Sequence, residues 1–170
     1  MRSAMIGIVP LAALLLAAVP GAAAGQTREA RGIELGAKPE PVQIEDLDGR
    51  PVDLGEYFEK GPVLLEFWAT WCGNCLALHP RMLEAHRLYG DRVQFLAIGV
   101  GVGQTPATIR RVLAQRPVPF PTLWDGRGEA ARAFMAPATS YIVILDADGK
   151  VAYTGLGSDQ DVVAAVRGVL

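Results

Sequence analysis

Along this chain the spacing of hydrophobic and polar positions changes character several times. Val42-Gln43-Ile44 alternates, Asp48-Gly49 marks a tight turn, and Pro51-Val52-Asp53-Leu54 alternates back. That pattern predicts a small β-hairpin. Residues 62–69, PVLLEFWA, form an apolar run broken by one acid, Glu66, which reads as a strand buried on both faces. From Cys72 to Tyr89 the apolar positions Cys75, Leu78, Met82, Ala85 and Tyr89 recur at helical spacing. Residues 93–100, VQFLAIGV, predict a second buried strand. The following GVGQ, residues 101–104, lacks the spacing of a phosphate loop and reads as a strand-to-helix turn. Thr105-Pro106 caps and opens a helix through Gln115, which the proline-rich 117–121 segment ends. A short helix is expected over 129–135, a strand over 141–145 and its antiparallel partner over 150–155, turned at Asp148-Gly149. Residues 159–170 close the chain as a helix with Val162, Val166 and Val169 on one stripe.

The predicted order is therefore β-β-β-α-β-α-α-β-β-α. Strands alternating with helices, followed by a terminal hairpin and helix, place the chain in the α/β class. A central mixed sheet is expected, with helices on both faces and an N-terminal β-hairpin. No internal repeat interrupts this order.

The first residues change the picture of where the domain lies. Arg2 precedes an apolar stretch, residues 4–19, interrupted by Pro10 and ended by Pro20, and Ala22-Ala23-Ala24 offers a small-x-small cleavage site. This is the pattern of a secretory signal peptide over residues 1–24, in preference to a retained anchor. Residues 25–40 are polar, with glycine and proline, and are expected as a flexible lead-in. Residues 41–170 then make one domain, long enough for a single core. A periplasmic or secreted protein follows. The formal charge of the chain is only −2, which gives no footing for a nucleic-acid partner.

The only two cysteines stand in Trp71-Cys72-Gly73-Asn74-Cys75. A structural bridge gains from closing a long loop, and this one closes almost nothing. A zinc site normally takes four ligands. Cys72, Cys75 and His79 do fall at helical spacing, so a copper-binding chaperone built on these residues stands as the alternative from a different class. A peroxidase is disfavoured, because no Pro-x-x-x-Thr-x-x-Cys site precedes Cys72. Redox exchange needs only two thiols. The strand ending at Ala69 feeds a helix that starts near Cys72, where unpaired backbone N–H groups and the positive end of the helix dipole favour a thiolate. Cys75 lies one turn in, on the same side and better shielded. The spacing lets Cys72 attack a substrate disulfide and Cys75 then release the mixed disulfide.

The residues around the pair carry a resemblance. LLEFWATWCGNC is similar to the strand and motif of the thioredoxin superfamily. The lead-in LDGRPVDLGEYFEKGPVLLEFWATWC and the later FPTLWDGRGEAARAFMAPATSYIVILDADGKVAYTG resemble the secreted TlpA/ResA-type thioredoxin-like proteins, or redoxins, over about residues 32–170. The resemblance implies a thioredoxin fold with an added hairpin and a central βα-type insertion. It implies an extracytoplasmic thiol–disulfide oxidoreductase with Cys72 as nucleophile and Cys75 as resolving thiol. The implied partners are protein thiols and disulfides and a membrane electron donor or acceptor, the implied state is a monomer, and no cofactor or metal is called for beyond the disulfide. Glu66 falls where thioredoxins carry a buried acid, whose pKa burial would raise and which would pass a proton to or from Cys75. Trp71, Gly73, Asn74, Thr139 and Ser140 are the expected substrate groove.

Three departures bear on that expectation. The family's cis-proline opposite the disulfide aligns with Ser140, and Pro137 lies three residues too early. The Thr139–Ser140 bond is thus expected trans, with a hydroxyl facing the cysteines. Leu78 stands where reductive members carry an acid, which weighs against a role in cytochrome maturation. Asn74 keeps a backbone N–H that the more usual proline lacks.

Overall fold

The computed structural model describes residues 32–170. The expected signal peptide and the start of the lead-in lie outside the described residues. Twelve elements follow in order: β1 (Gln43–Asp46), β2 (Pro51–Asp53), α1 (Gly55–Phe58), β3 (Val63–Trp68), α2 (Gly73–Tyr89), β4 (Gln94–Val100), α3 (Pro106–Gln115), β5 (Thr122–Asp125), α4 (Glu129–Ala133), β6 (Tyr141–Leu145), β7 (Val151–Leu156) and α5 (Val162–Arg167).

The strands form one seven-stranded mixed sheet in the order β2-β1-β5-β4-β3-β6-β7. β3, β4 and β5 run parallel, β6 and β7 are antiparallel to their neighbours, and the β1–β2 hairpin closes the other edge against β5. The two hairpin turns use one device. Asp46 Oδ1 accepts from the backbone N–H groups of Asp48 and Arg50 at 2.8 and 2.9 Å, and Asp146 Oδ1 accepts from those of Asp148 and Lys150, both at 2.9 Å. Gly49 and Gly149 follow at φ 82° and 72°, a conformation that costs glycine little.

Alternation along β3 divides the core. Val63, Leu65 and Phe67 join Leu96, Ile98, Phe134, Tyr141 and Val143 on one face. On the other face Leu64 packs with Phe95, Ala97, Ile142 and Ile144 beneath Leu78, Met82 and Ala85 of α2 and Val162 and Val166 of α5. The expected apolar stripes of both helices are the faces that are buried. Glu66 lies between Leu64 and Trp68 and so faces the α2 side.

Four features differ from the expectation. β5 was not foreseen. It is four residues long and follows three prolines, at 117, 119 and 121, which mask its strand character, and its pairing with β1 and β4 is what makes it a strand. α1 is a single turn, too short to show a period. α4 stops at Ala133, because Phe134 leaves helical geometry and Met135 turns to φ 48°. α5 begins only at Val162, where the Asp161 side chain accepts from Ala164 N at 2.9 Å. β5 and α4 supply the extra strand and helix in the middle of the chain. Residues 33–39, assigned in sequence to the lead-in, have no regular structure but are fastened to the domain. Ile33 is buried, its N–H donates to Phe134 O at 3.1 Å, and Gly36 and Ala37 exchange hydrogen bonds with Val151.

Candidate active site

β3 delivers the chain to the C-terminal end of the parallel strands, and a three-residue turn, Ala69 to Trp71, leads into α2. Cys72 N donates to Ala69 O at 3.1 Å, closing that turn. Cys72 is the N-cap of α2 in an extended conformation, and its Sγ accepts from Cys75 N at 3.0 Å. The sulfur thus occupies the place of a capping oxygen, where an anion is favoured. Cys72 and Cys75 are joined as a disulfide with their Cα atoms 5.3 Å apart. The expected contrast in shielding is slight in this form, since Cys72 keeps 8 % of its surface and Cys75 keeps 6 %.

A cavity of about 60 Å³ opens between α2 and α3, beside the disulfide. Cys72, Cys75, Glu66, Trp68 and His79 line it, with Met82, Leu113 and Phe120 among its apolar walls. This volume is room for several water molecules. Glu66 is buried and makes no hydrogen bond with another described side chain, and burial pushes its pKa from 4.5 to about 8. Near neutral pH it carries its proton and shares a cavity with the resolving cysteine. His79 lines the same cavity. Burial lowers its pKa, and the Arg116 guanidinium at the cavity rim lowers it further. It shares the cavity with both cysteines, yet among the described residues no three His, Cys, Asp or Glu side chains form a metal-holding group.

The other expected groove residues lie on separate segments of the chain. Trp71 is 55 % exposed, and its Nε1 donates to Val102 O at 2.8 Å. Gly73 and Asn74 are exposed on the first turn of α2. Thr139 is half-buried and Ser140 fully so. Every peptide bond among the described residues is trans, that of Thr139–Ser140 included. Ser140 extends the β3–β6 ladder: its N–H donates to Phe67 O at 2.7 Å, and its carbonyl accepts from Gly157 N and Gln160 Nε2, each at 3.1 Å. It is held at φ 66°, and its buried Oγ has no hydrogen-bond partner. Neither Thr139 nor Ser140 lines the cavity beside the disulfide.

Two buried polar residues near the site escaped sequence reading. Asp125, at the end of β5, accepts from Ala130 N at 3.2 Å and Ala131 N at 2.8 Å and so anchors α4. Gln104, within the segment read only as a turn, reaches the strand that carries the motif. Its one sequence signal is a long amide side chain closing an otherwise glycine–valine loop.

Fold and site together define a thioredoxin-like thiol–disulfide oxidoreductase, with its cysteine pair at a helix N-terminus on the end of a parallel sheet. More particularly, the chain belongs to the Redoxin family, whose model matches residues 34–170, and is of the TlpA/ResA-like kind. It is 29 % identical over 120 residues to the thiol–disulfide oxidoreductase ResA of Bacillus thuringiensis, spanning 70 % of this chain and 68 % of that one. It is also 29 % identical over 137 residues to ResA of Geobacillus thermodenitrificans, covering 79 % and 77 % of the two chains. The crystal structure of a putative thiol:disulfide interchange protein DsbE from Chlorobium tepidum shares the fold with a TM-score of 0.70 at 24 % identity, over 81 % of this chain and 96 % of that one.

Proposed function

We propose that this protein exchanges disulfides with polypeptide substrates outside the cytoplasm, as a monomer coupled to a membrane electron donor or acceptor and without a cofactor. In the reducing direction the Cys72 thiolate attacks one sulfur of a substrate disulfide. A mixed disulfide forms, and the other substrate sulfur leaves as a thiolate that takes up a proton. Cys75 loses its proton, attacks Cys72 Sγ and expels the second substrate sulfur. Two electrons pass to the substrate, and the Cys72–Cys75 bond closes. The oxidising direction retraces these steps. In the reducing direction the ionised fraction of Glu66 takes the Cys75 proton through cavity water, and in the oxidising direction the protonated form, which predominates near neutral pH, returns it. Trp71, Gly73, Asn74, Thr139 and Ser140 frame the substrate segment.

The observation that carries this reading is the 3.0 Å hydrogen bond from Cys75 N to Cys72 Sγ, a donor already aimed at the sulfur that must bear charge. Completeness of the cysteine pair and its acid within one chain supports the monomer. The apolar N-terminal stretch supports export, and among the described residues no helix is long and apolar enough to cross a membrane. Trapping tests the scheme. The Cys75→Ser variant, expressed in its host, should accumulate mixed disulfides with envelope proteins that dithiothreitol releases, and Cys72→Ser should accumulate none. Equal trapping by both variants, or trapping only of cytoplasmic proteins, would count against it.

A further inference from the structure

Gln104 is buried in the loop between β4 and α3, 29 residues beyond the second cysteine, yet all of its hydrogen bonds go to backbone at the ends of β3 and β4. Its Oε1 accepts from Thr70 N at 2.8 Å. Its Nε2 donates to Val100 O at 2.8 Å and, more weakly, to Trp68 O at 3.4 Å. One amide therefore bridges the ends of two parallel strands and holds the turn that leads into Cys72. The same loop grips the next residue from outside. Trp71 Nε1 donates to Val102 O at 2.8 Å, and the indole rests on Gly103, where a Cβ would approach Nε1 to 3.1 Å. Gly103 is at φ 64°, so both conformation and space call for glycine there.

We propose that Gln104 is a positioning residue of the redox centre. By fixing the Trp68–Thr70 backbone it holds Cys72 in the extended N-cap conformation, φ −81° and ψ 107°, that brings Sγ to the Cys75 N–H. The physical argument is one of accounting. Residues 69 to 71 run between a strand and a helix, and Thr70 N has no partner within either element. A buried amide supplies that partner, and its own donors go to the Val100 and Trp68 carbonyls at the ends of the two strands. Without it the turn can relax, and the hydrogen bond to sulfur lengthens first, because it depends on the Cys72 backbone angles. Thiolate stabilisation at a helix N-terminus falls off steeply with such displacement.

This inference rests on the redox reading above, and the experiment separates the two. Wild type, Gln104→Ala and Gln104→Glu are reduced, and the rate of Cys72 alkylation by iodoacetamide is followed from pH 5 to pH 9. Melting temperature is recorded alongside. In Gln104→Ala the inflection should move upward by about half a pH unit or more, which is at least a threefold loss of rate at any pH below both inflections. Gln104→Glu separates positioning from mere packing. A protonated carboxyl can accept from Thr70 N and donate to Val100 O, whereas the ionised form repels both carbonyls. Its rate should match wild type at pH 5 and fall progressively below it as pH rises. Should both variants lose stability while their alkylation profiles overlay wild type, Gln104 only packs and the proposal is wrong. Should Gln104→Ala not fold, the Glu variant decides alone, and a constant ratio to wild type across pH overturns the proposal. If wild-type Cys72 itself reacts as an ordinary thiol, the redox reading fails first and this inference with it.

Discussion

Glu66 stands fourth in a six-residue strand and shares its face with Leu64 and Trp68, and burial alone raises its pKa to about 8 from 4.5. The sign of the consequence follows by linkage. Below about pH 4.5 the carboxyl is protonated in both folded and unfolded chains, and its burial costs least. As pH rises from there the unfolded chain gives up the proton and the folded chain keeps it, so stability is lost progressively until pH passes about 8. Denaturant unfolding of the oxidised protein should show that decline between pH 5 and pH 8, and Glu66→Gln should flatten it. Parallel wild-type and variant profiles would show that Glu66 reaches solvent after all. In turnover, Glu66→Gln should slow release of the mixed disulfide by about 10²-fold, the low end of general acid–base contributions, with little effect on its formation. Rapid-quench separation of the two steps tests this. The placement of Cys72, Cys75 and Glu66 was legible from sequence because they are neighbours on one strand–turn–helix segment, where spacing is geometry. Gln104 was not, because its partners Thr70 and Trp68 are backbone groups 34 and 36 residues away, and no side-chain pattern announces them. Ser140 lies between these cases. Its place before β6 was readable, but its left-handed backbone and partnerless hydroxyl belong to the folded loop.

At the scale of elements, the helices that hold the site were readable where period and cap agreed. α3 begins where Thr105-Pro106 placed it, with a reciprocal cap between Thr105 and Thr108. α2 buries Leu78, Met82 and Ala85 on the stripe expected of it. β5 was not readable, because a four-residue strand gains its identity from neighbours on both sides rather than from its own composition. Leu78 lies on the inner face of α2 and is fully buried. Leu78→Ala should cost about 2–5 kcal/mol in chemical denaturation, as for other large-to-small changes in packed cores. Leu78→Asp should destabilise further. A loss below 1 kcal/mol for Leu78→Ala would mean that α2 is not seated as described.

For the molecule as a whole, topology does the gathering. Parallel β3 and β4 end at the same edge, so the β3–α2 turn with the cysteines and the β4–α3 loop with Gln104 meet there, as ligand-binding loops do in open α/β sheets. The antiparallel β6 brings Ser140 to Phe67 from the opposite direction. The N-terminal hairpin extends the far edge of the sheet, four strands from β6, and has no part in the chemistry described. Everything proposed for this assembly depends on the Cys72 sulfur being held as an anion by the first turn of α2. The direct test is the pH dependence of Cys72 alkylation in the reduced wild-type protein, read by mass spectrometry so that Cys72 and Cys75 are scored separately. The account predicts an inflection at least a full pH unit below the value of about 8.5 for a free cysteine, with Cys72 modified well before Cys75. An inflection at or above 8.5, or equal reactivity of the two sulfurs, would contradict it.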